Sequence, residues 1–355
     1  MRKGISPVIA SIILILIVLS LSSAYLTFTG RLSGGQTEAA QKQSQELTQT
    51  IGVNFRIAGV ENQDVLVRNI GADTIPQNAL TVIVDDTAMN YTSSGDIPKG
   101  ATGRLTLMGL WKIGPGERTL RVEGAPATDS LLIDLEPADG NVLDLGFEEG
   151  SGTTAADSSG SSNDGILTNG PTWSTDTPLD SSSSSLRFNG TDDYVNVSDS
   201  PSLTFAGNRL TAEFWVNPGS ITTQMFIVSK RDDAPQEREF DIAFDPVGAA
   251  KWFEFRIFGS GGSNVTRFSS NHFSTGVWSH VVSTYDGSTL RIWVGGVLAS
   301  ENASTINLGD TPQPITLGVL EDSTGLGSFF NGQLDEVRIY NRAYTPDELY
   351  VLKPA

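Results

Sequence analysis

A chain of 355 residues has room for two or three domains of ordinary size. Its formal net charge of −18 argues against a nucleic-acid partner and suits an exposed, well-solvated surface. It has no cysteine, which excludes disulfides and thiolate metal centres; its two histidines, His272 and His280, cannot build a His-rich zinc site and read as ordinary strand or loop residues.

In chain order, Met1-Arg2-Lys3-Gly4 precedes a run without charge from Ile5 to Phe28. At ~1.5 Å per residue a helix over this run spans roughly 36 Å, enough to cross a hydrocarbon core of about 30 Å. Residues 5–50 are therefore expected to form one long N-terminal α-helix. A plain membrane anchor is one reading of it. A secretory signal cut after Ala24 is another, although such apolar regions are usually only about 7–15 residues.

A third reading comes from resemblance. Arg2-Lys3-Gly4-Ile5-Ser6-Pro7-Val8-Ile9-Ala10 resembles the class III signal of archaeal type IV pilins. The resemblance implies that a prepilin peptidase removes the leader 1–4 by cutting between Gly4 and Ile5. The retained helix is then a single-pass membrane segment before assembly. Afterwards it packs against identical subunits in a helical filament built by pilus assembly machinery. A helix apolar all round must be buried in lipid or in protein, which agrees with either fate. Pro7 falls in the first helical turn, where its missing N–H is harmless. The bacterial glutamate at the fifth mature position is missing; the nearest carboxylate is Glu38.

Glu38, Lys42 and Glu46 stand four apart and extend the helical pattern, with Gly34-Gly35 as a hinge or a linker. From Ile51 to Pro137 short alternating runs take over, among them Val53–Ile57, Val65–Val67, Leu80–Val84, Arg104–Leu107, Thr119–Val122 and Leu131–Leu135. With turn residues between them they predict a small Ig-like β-sandwich over 51–137. In pattern it resembles the β head of archaeal pilins and archaellins, which implies a structural role.

Ala138-Asp139-Gly140 reads as a linker opening a second β-domain, 138–355. Phe214 and Val216 alternate with Glu213 and Trp215, and Phe253, Phe255 and Ile257 alternate with Glu254 and Arg256. Asp286-Gly287 and Gly295-Gly296, each between apolar runs, are hairpin signals. Tyr344–Leu349 reads as a short capped turn. Val142–Thr153, Ala156–Gly160, Leu186–Val195, Ala212–Val216, Trp278–Val282 and Leu334–Arg342 together resemble the LamG-like, concanavalin A-like jellyroll family. The expected fold class is thus mainly β with one long N-terminal α-helix: an Ig-like head followed by a LamG-like jellyroll.

Glycosidases need two carboxylates flanking the sugar bond. No strand carries the Glu-x-Asp-x-x-Glu pattern, and no Ser/His/Asp order stands out, so no catalytic residue is assigned and no enzyme activity is expected. A Ca²⁺ site has more support, because Ca²⁺ takes six to eight oxygens from a turning loop. Asp157-Ser158-Ser159-Gly160-Ser161-Ser162-Asn163-Asp164-Gly165 offers such a loop. By resemblance it lies beside Leu334-Asp335-Glu336-Val337, so the expected ligands of a structural Ca²⁺ are Asp157, Asn163 and Asp335. The competing role for Asp157 and Asn163 is to brace turns through Asx hydrogen bonds. Sequons for N-glycosylation stand at Asn90, Asn189, Asn196, Asn264 and Asn302. Trp252 and Phe273 are candidate sugar-stacking rings, with core packing as their ordinary use.

The reading that joins these features is a structural subunit of an archaeal type IV pilus-like filament. It displays an outward LamG-like domain for adhesion and carbohydrate binding, extracellularly at the cell surface, with a glycan or a surface protein as ligand. The alternative is a solitary membrane-anchored surface binding protein that does not polymerise. A cell-wall glycan hydrolase is the outside third.

Overall fold

The computed structural model describes residues 54–205, 207–232, 238–247, 250–259, 263–269, 273–322 and 325–354. The leader 1–4, the Gly4–Ile5 bond and the segment 5–50 lie outside the described residues. The expected class, with its long α-helix, is corrected by what is described. These residues are almost wholly β, and the only helical pieces among them are 3-10 turns at Leu110–Lys112, Pro201–Leu203 and Pro346–Glu348. No helix among the described residues is long and apolar enough to cross a membrane. The physical reason lies in the pattern: period-two alternation broken every few residues by Gly, Asn and Asp sustains strands, not helices.

The first β-unit is one antiparallel path. It runs Phe55–Glu61, Asp64–Asn69, Thr102–Met108, Thr87–Ser93, Thr81–Val84, Gly116–Gly124, Ala127–Pro137 and Tyr350–Pro354. The path curls until its ends meet, so that the Ile57 N–H donates to Asp129 Oδ2 at 2.8 Å. Inward-facing Val65, Val67, Val82, Leu105, Leu120, Val122 and Ile133 fill the space enclosed. The strand Thr87–Ser93 escapes the sequence reading because its turn is Asp85-Asp86. Both residues take positive φ, 44° and 66°, the geometry of a tight primed hairpin that usually carries glycine.

The eighth strand of that unit is the chain's own C-terminus. Tyr350–Pro354 returns from the second domain and pairs antiparallel with Ala127–Pro137. The two domains are therefore laced together by backbone hydrogen bonds.

The second domain is a sandwich of two antiparallel sheets. One runs Asn264–Phe268, Ala250–Phe258, Arg238–Val247, Met225–Arg231, Ile315–Leu317, Tyr194–Val197, Gly165–Thr168 and Thr154–Ala155. The other runs Thr172–Ser174, Ser185–Asn189, Asn331–Tyr340, Leu210–Pro218, Ser279–Tyr285, Thr289–Val294 and Val297–Ala303, with Asn141–Leu145 added beside Asn331–Tyr340. Phe214, Val216, Phe240, Ile242, Phe253, Phe255, Val281 and Ile339 interdigitate between them as one core. Both expected hairpins form: Asp286 Oδ1 accepts from the N–H groups of Ser288 and Thr289, and Gly295 and Gly296 take φ of 58° and 76°.

Alternation leaves Glu213, Trp215, His280, Val282, Trp293 and Tyr340 on the outer face of the second sheet. The first unit covers this part of the face. Trp111 stacks on the His280 ring, centroids 4.4 Å apart and planes 7° apart, and meets Trp215 at 5.9 Å. Val282, Trp293, Tyr340, Leu349 and Tyr350 share one apolar cluster with the first unit's core. Gly296 makes room for it, since a Cβ there would lie 2.7 Å from the Trp111 ring.

Trp111→Ala should cost about 3–5 kcal/mol, the usual range for deleting a buried aromatic side chain. In urea unfolding we expect the single wild-type transition to move to lower denaturant and to split in two as the domains uncouple. A variant whose midpoint matches wild type would show that Trp111 does not hold the junction.

Candidate functional site at the domain junction

The strand Asn331–Tyr340 changes partner along its length. Its first half pairs with Ser185–Asn189 and its second with Asn141–Leu145, while Leu210–Pro218 follows its other edge throughout. At the change the register slips between Glu213 and Trp215, opposite Arg338 and Asp335. Glu336 sits in the slip with φ 52°, a left-handed conformation that is uncommon outside glycine and clusters at functional positions. Such a bulge re-aims side chains. Here two consecutive acids, Asp335 and Glu336, join Glu148 in one group, with one oxygen from each lying within 4.8 Å of the others.

Beside them lies Arg338, 1 % exposed. Its Nε donates to Asp144 Oδ2 at 3.0 Å, its Nη1 to the Tyr350 hydroxyl at 2.7 Å, and its Nη2 to Glu336 Oε2. The Tyr350 hydroxyl donates onward to Glu213 Oε1 at 3.1 Å, which lies 2.8 Å from His280 Nε2. One guanidinium thus faces Asp144, Glu213 and Glu336. A cleft of about 550 Å³ opens onto this group between Pro115 and Glu136 on one side and Asp144, Glu148 and Ser158 on the other.

The acid group is short of positive charge. Asp335 is fully buried; its Oδ1 accepts the Glu336 N–H at 2.9 Å, but its Oδ2 has no hydrogen-bond partner. Burial, and after it the charges of Glu336 and Glu148, push the Asp335 carboxyl up to about 9. Burial also raises Glu336, against the pull of Arg338. A buried oxygen without a partner, among carboxylates held close together, suits a hard cation of the Ca²⁺ or Mg²⁺ kind.

Of the three expected ligands, Asp157 and Asn163 meet in their loop, while Asp335 groups with Glu148 and Glu336. Asp157 is occupied by its own loop: Oδ1 accepts from the N–H groups of Asp144 and Ser159, and Oδ2 from the Asn163 N–H and the Ser159 hydroxyl. Asn163 Nδ2 donates to the Val142 carbonyl and to Ser202, while its Oδ1 accepts from Ser200. Both residues brace the loop. Asp335 meets instead Glu148 and Glu336. Both stand beside other acids in the sequence, in Phe147-Glu148-Glu149 and Asp335-Glu336; strict alternation would put Glu336 on the opposite face from Asp335, and the bulge is what brings the two together.

The sequons divide by geometry. Asn90, Asn264 and Asn302 are exposed on strands, and Asn196 is half-buried. Asn189 is locked in a turn, its Oδ1 accepting from the N–H groups of Thr191, Asp192 and Asp193. Of the two aromatic candidates, Phe273 is core and Trp252 lies half-buried against Phe268. His280 is described above; His272 lies outside the described residues.

The pH dependence follows from Asp335. Its folded form keeps a proton that the unfolded chain releases from about pH 4 upward. Without a cation the protein should therefore lose stability as pH rises from about 4 to about 9. Ca²⁺ at a hundred times its dissociation constant should restore about 2.7 kcal/mol. Burial also raises Glu239 and Glu254 to about 7, so Asp335→Asn should remove the loss above about pH 7 and the Ca²⁺ response. Melting temperatures at several pH values, in EDTA and in CaCl₂, check this; a flat EDTA profile with no Ca²⁺ effect would refute the cation site.

Residues 189–350 match the model of the concanavalin A-like lectin/glucanases superfamily. Among solved structures, the binding domain of Paraclostridial Mosquitocidal Protein 1 is 17 % identical over 59 % of this chain and 51 % of its own, with a TM-score of 0.49. Domain 4 of AbnA, a GH43 extracellular arabinanase from Geobacillus stearothermophilus solved with arabinotriose, is 19 % identical over 60 % of this chain and 98 % of its own, with a TM-score of 0.47. The receptor binding domain of botulinum neurotoxin type G is 12 % identical over 59 % and 50 %, with a TM-score of 0.45. This chain spans about half the length of the two toxin domains. Two packed antiparallel sheets that match this family model over 189–350 make the second domain a LamG-like, concanavalin A-like jellyroll.

Proposed function

We propose that this chain is a non-enzymatic carbohydrate-binding protein of the cell surface, whose jellyroll is held to its first β-unit as one body. The observation that carries the reading is the match of residues 189–350 to a superfamily of lectins and glucanases. A structural divalent cation at Glu148, Asp335 and Glu336 stiffens the junction. Exposed Asn90, Asn264 and Asn302 are the sequons open to glycosylation.

For display, the segment Arg2–Ala10 supports export as a pilin-type subunit cut at Gly4–Ile5, and assembly with identical copies. A solitary anchored protein is the second form, in which the same apolar segment stays in the membrane.

Two measurements test the reading. The full chain on a glycan array should retain defined saccharides and release no sugar from them; an array without binding removes the carbohydrate reading. Mass spectrometry of material sheared from native cells should find a mature N-terminus at Ile5, with filaments in negative stain. A chain beginning at Met1 or Tyr25, without filaments, would leave the filament role unsupported.

A further inference from the structure

The first unit covers only part of the outer face of the jellyroll's second sheet. Trp215, His280 and Tyr340 lie under it, while the end of the sheet near Asn331 stays open. There a pocket of about 370 Å³ is lined by Asp176, Arg187, Asn217, Asn331 and Gln333 among others. We infer that this pocket is a saccharide site and that its ligand is a neutral sugar ring with hydroxyls at both edges; the inference rests on the carbohydrate-binding reading above and names its place and class.

Three neighbouring strands build the site as a single row. Arg187 pairs across strands with Gln333, and Gln333 with Asn217. Alternation turns all three outward, because Leu186, Phe188, Leu334 and Val216 beside them are core. Trp278, next to Ser279, the partner of Val216, continues the row. Asp176 ties the row from above: Oδ1 accepts from Trp278 Nε1 at 3.1 Å and Oδ2 from Gln333 Nε2 at 2.7 Å. Two of the side chains are thereby fixed in direction before any ligand arrives, which lowers the cost of binding.

The other two are uncommitted. Asn217 is 6 % exposed, lines the pocket, and its carboxamide makes no hydrogen bond among the described residues. Its amide atoms are open to the pocket, where a ligand can supply their partner. Arg187 is exposed and makes no ion pair among the described residues. Arg187 and Asn217 flank Gln333 at about two strand spacings, roughly 10 Å, so their donors and acceptor suit hydroxyls at opposite edges of one sugar ring. The half-buried Trp278, whose Nε1 is already given to Asp176, stands beside the lining as an apolar edge. Glycines at 219, 276 and 332 keep side chains off the rim.

Charge selects the class. Arg187 and Asp176 are the charged groups of the lining and balance one another, and the whole chain carries −18. A polyanionic glycan would be repelled on approach. A neutral ring loses nothing to that field.

The test uses the full chain in CaCl₂ with methyl α-D-glucopyranoside, methyl β-D-galactopyranoside, methyl α-D-mannopyranoside and methyl β-D-glucuronide. Binding is followed by saturation-transfer NMR and tryptophan fluorescence. We expect at least one neutral glycoside to bind more tightly than the glucuronide. Asn217→Ala and Arg187→Met should each weaken that binding about tenfold, the worth of one lost hydrogen bond of this kind. Trp278→Phe should remove the fluorescence change, and Trp252→Ala on the opposite sheet should leave binding intact. Because Arg187 is exposed, its variant tests the site even if Asn217→Ala fails to fold. Binding to the glucuronide alone, to none of the four, or undiminished in both variants overturns the inference. Array binding that survives both variants would leave the carbohydrate reading standing and move the site elsewhere; an array with no binding removes that reading itself.

Discussion

A single buried guanidinium holds this molecule in its shape. Arg338 stands at the centre of the junction, where Asp144, Glu213 and Glu336 of the jellyroll converge and the hydroxyl of Tyr350 arrives from the strand that completes the other domain. Burying a charge is expensive unless several partners meet it. Four groups do so here, and three are carboxylates, so the surrounding acids remain under-neutralised. Burial pulls the Arg338 pKa down, but the neighbouring Asp144 and Glu336 charges outweigh it and hold the group well above the usual arginine value. The excess of carboxylate is what turns a structural knot into a candidate cation site.

The same knot decides which surfaces are free. The first unit must lie against the jellyroll for Tyr350 to reach Arg338 and for Trp111 to stack on His280. It therefore screens one part of the outer sheet face and leaves the row from Arg187 to Trp278 open. Junction and pocket are thus two consequences of one docking arrangement. A polar residue on this face becomes structural when it falls beneath the first unit, as Glu213 does, and remains available when it does not, as with Asn217.

Much of the jellyroll was legible. The alternation of Phe214 and Val216 against Glu213 and Trp215 placed its faces correctly, and Asp286-Gly287 and Gly295-Gly296 placed its hairpins, because these signals act between residues a few positions apart. The candidate site was legible only in part. Asp335 was picked out, but its companions were not, because a register slip opposite Glu213 cannot be seen in the strand that carries Glu336. Asp157 and Asn163 looked like metal ligands by composition; Asp157 accepts hydrogen bonds from its own loop and from Asp144, and Asn163 Oδ1 accepts from the distant Ser200, contacts that residue type does not announce. Asp85-Asp86 hid a hairpin because acidic residues seldom take positive φ at both central positions.

By itself the sequence determined local matters: which runs alternate, which residues turn the chain, the absence of thiol chemistry, and an acidic surface. Tertiary structure alone decided that the last strand belongs to the first unit, that Glu148 meets Asp335, and that Arg187, Gln333 and Asn217 form one row. Each of these joins residues far apart in the chain. Short-range periodicity states which way a side chain points from its own strand; only the pairing of distant strands states what it will face.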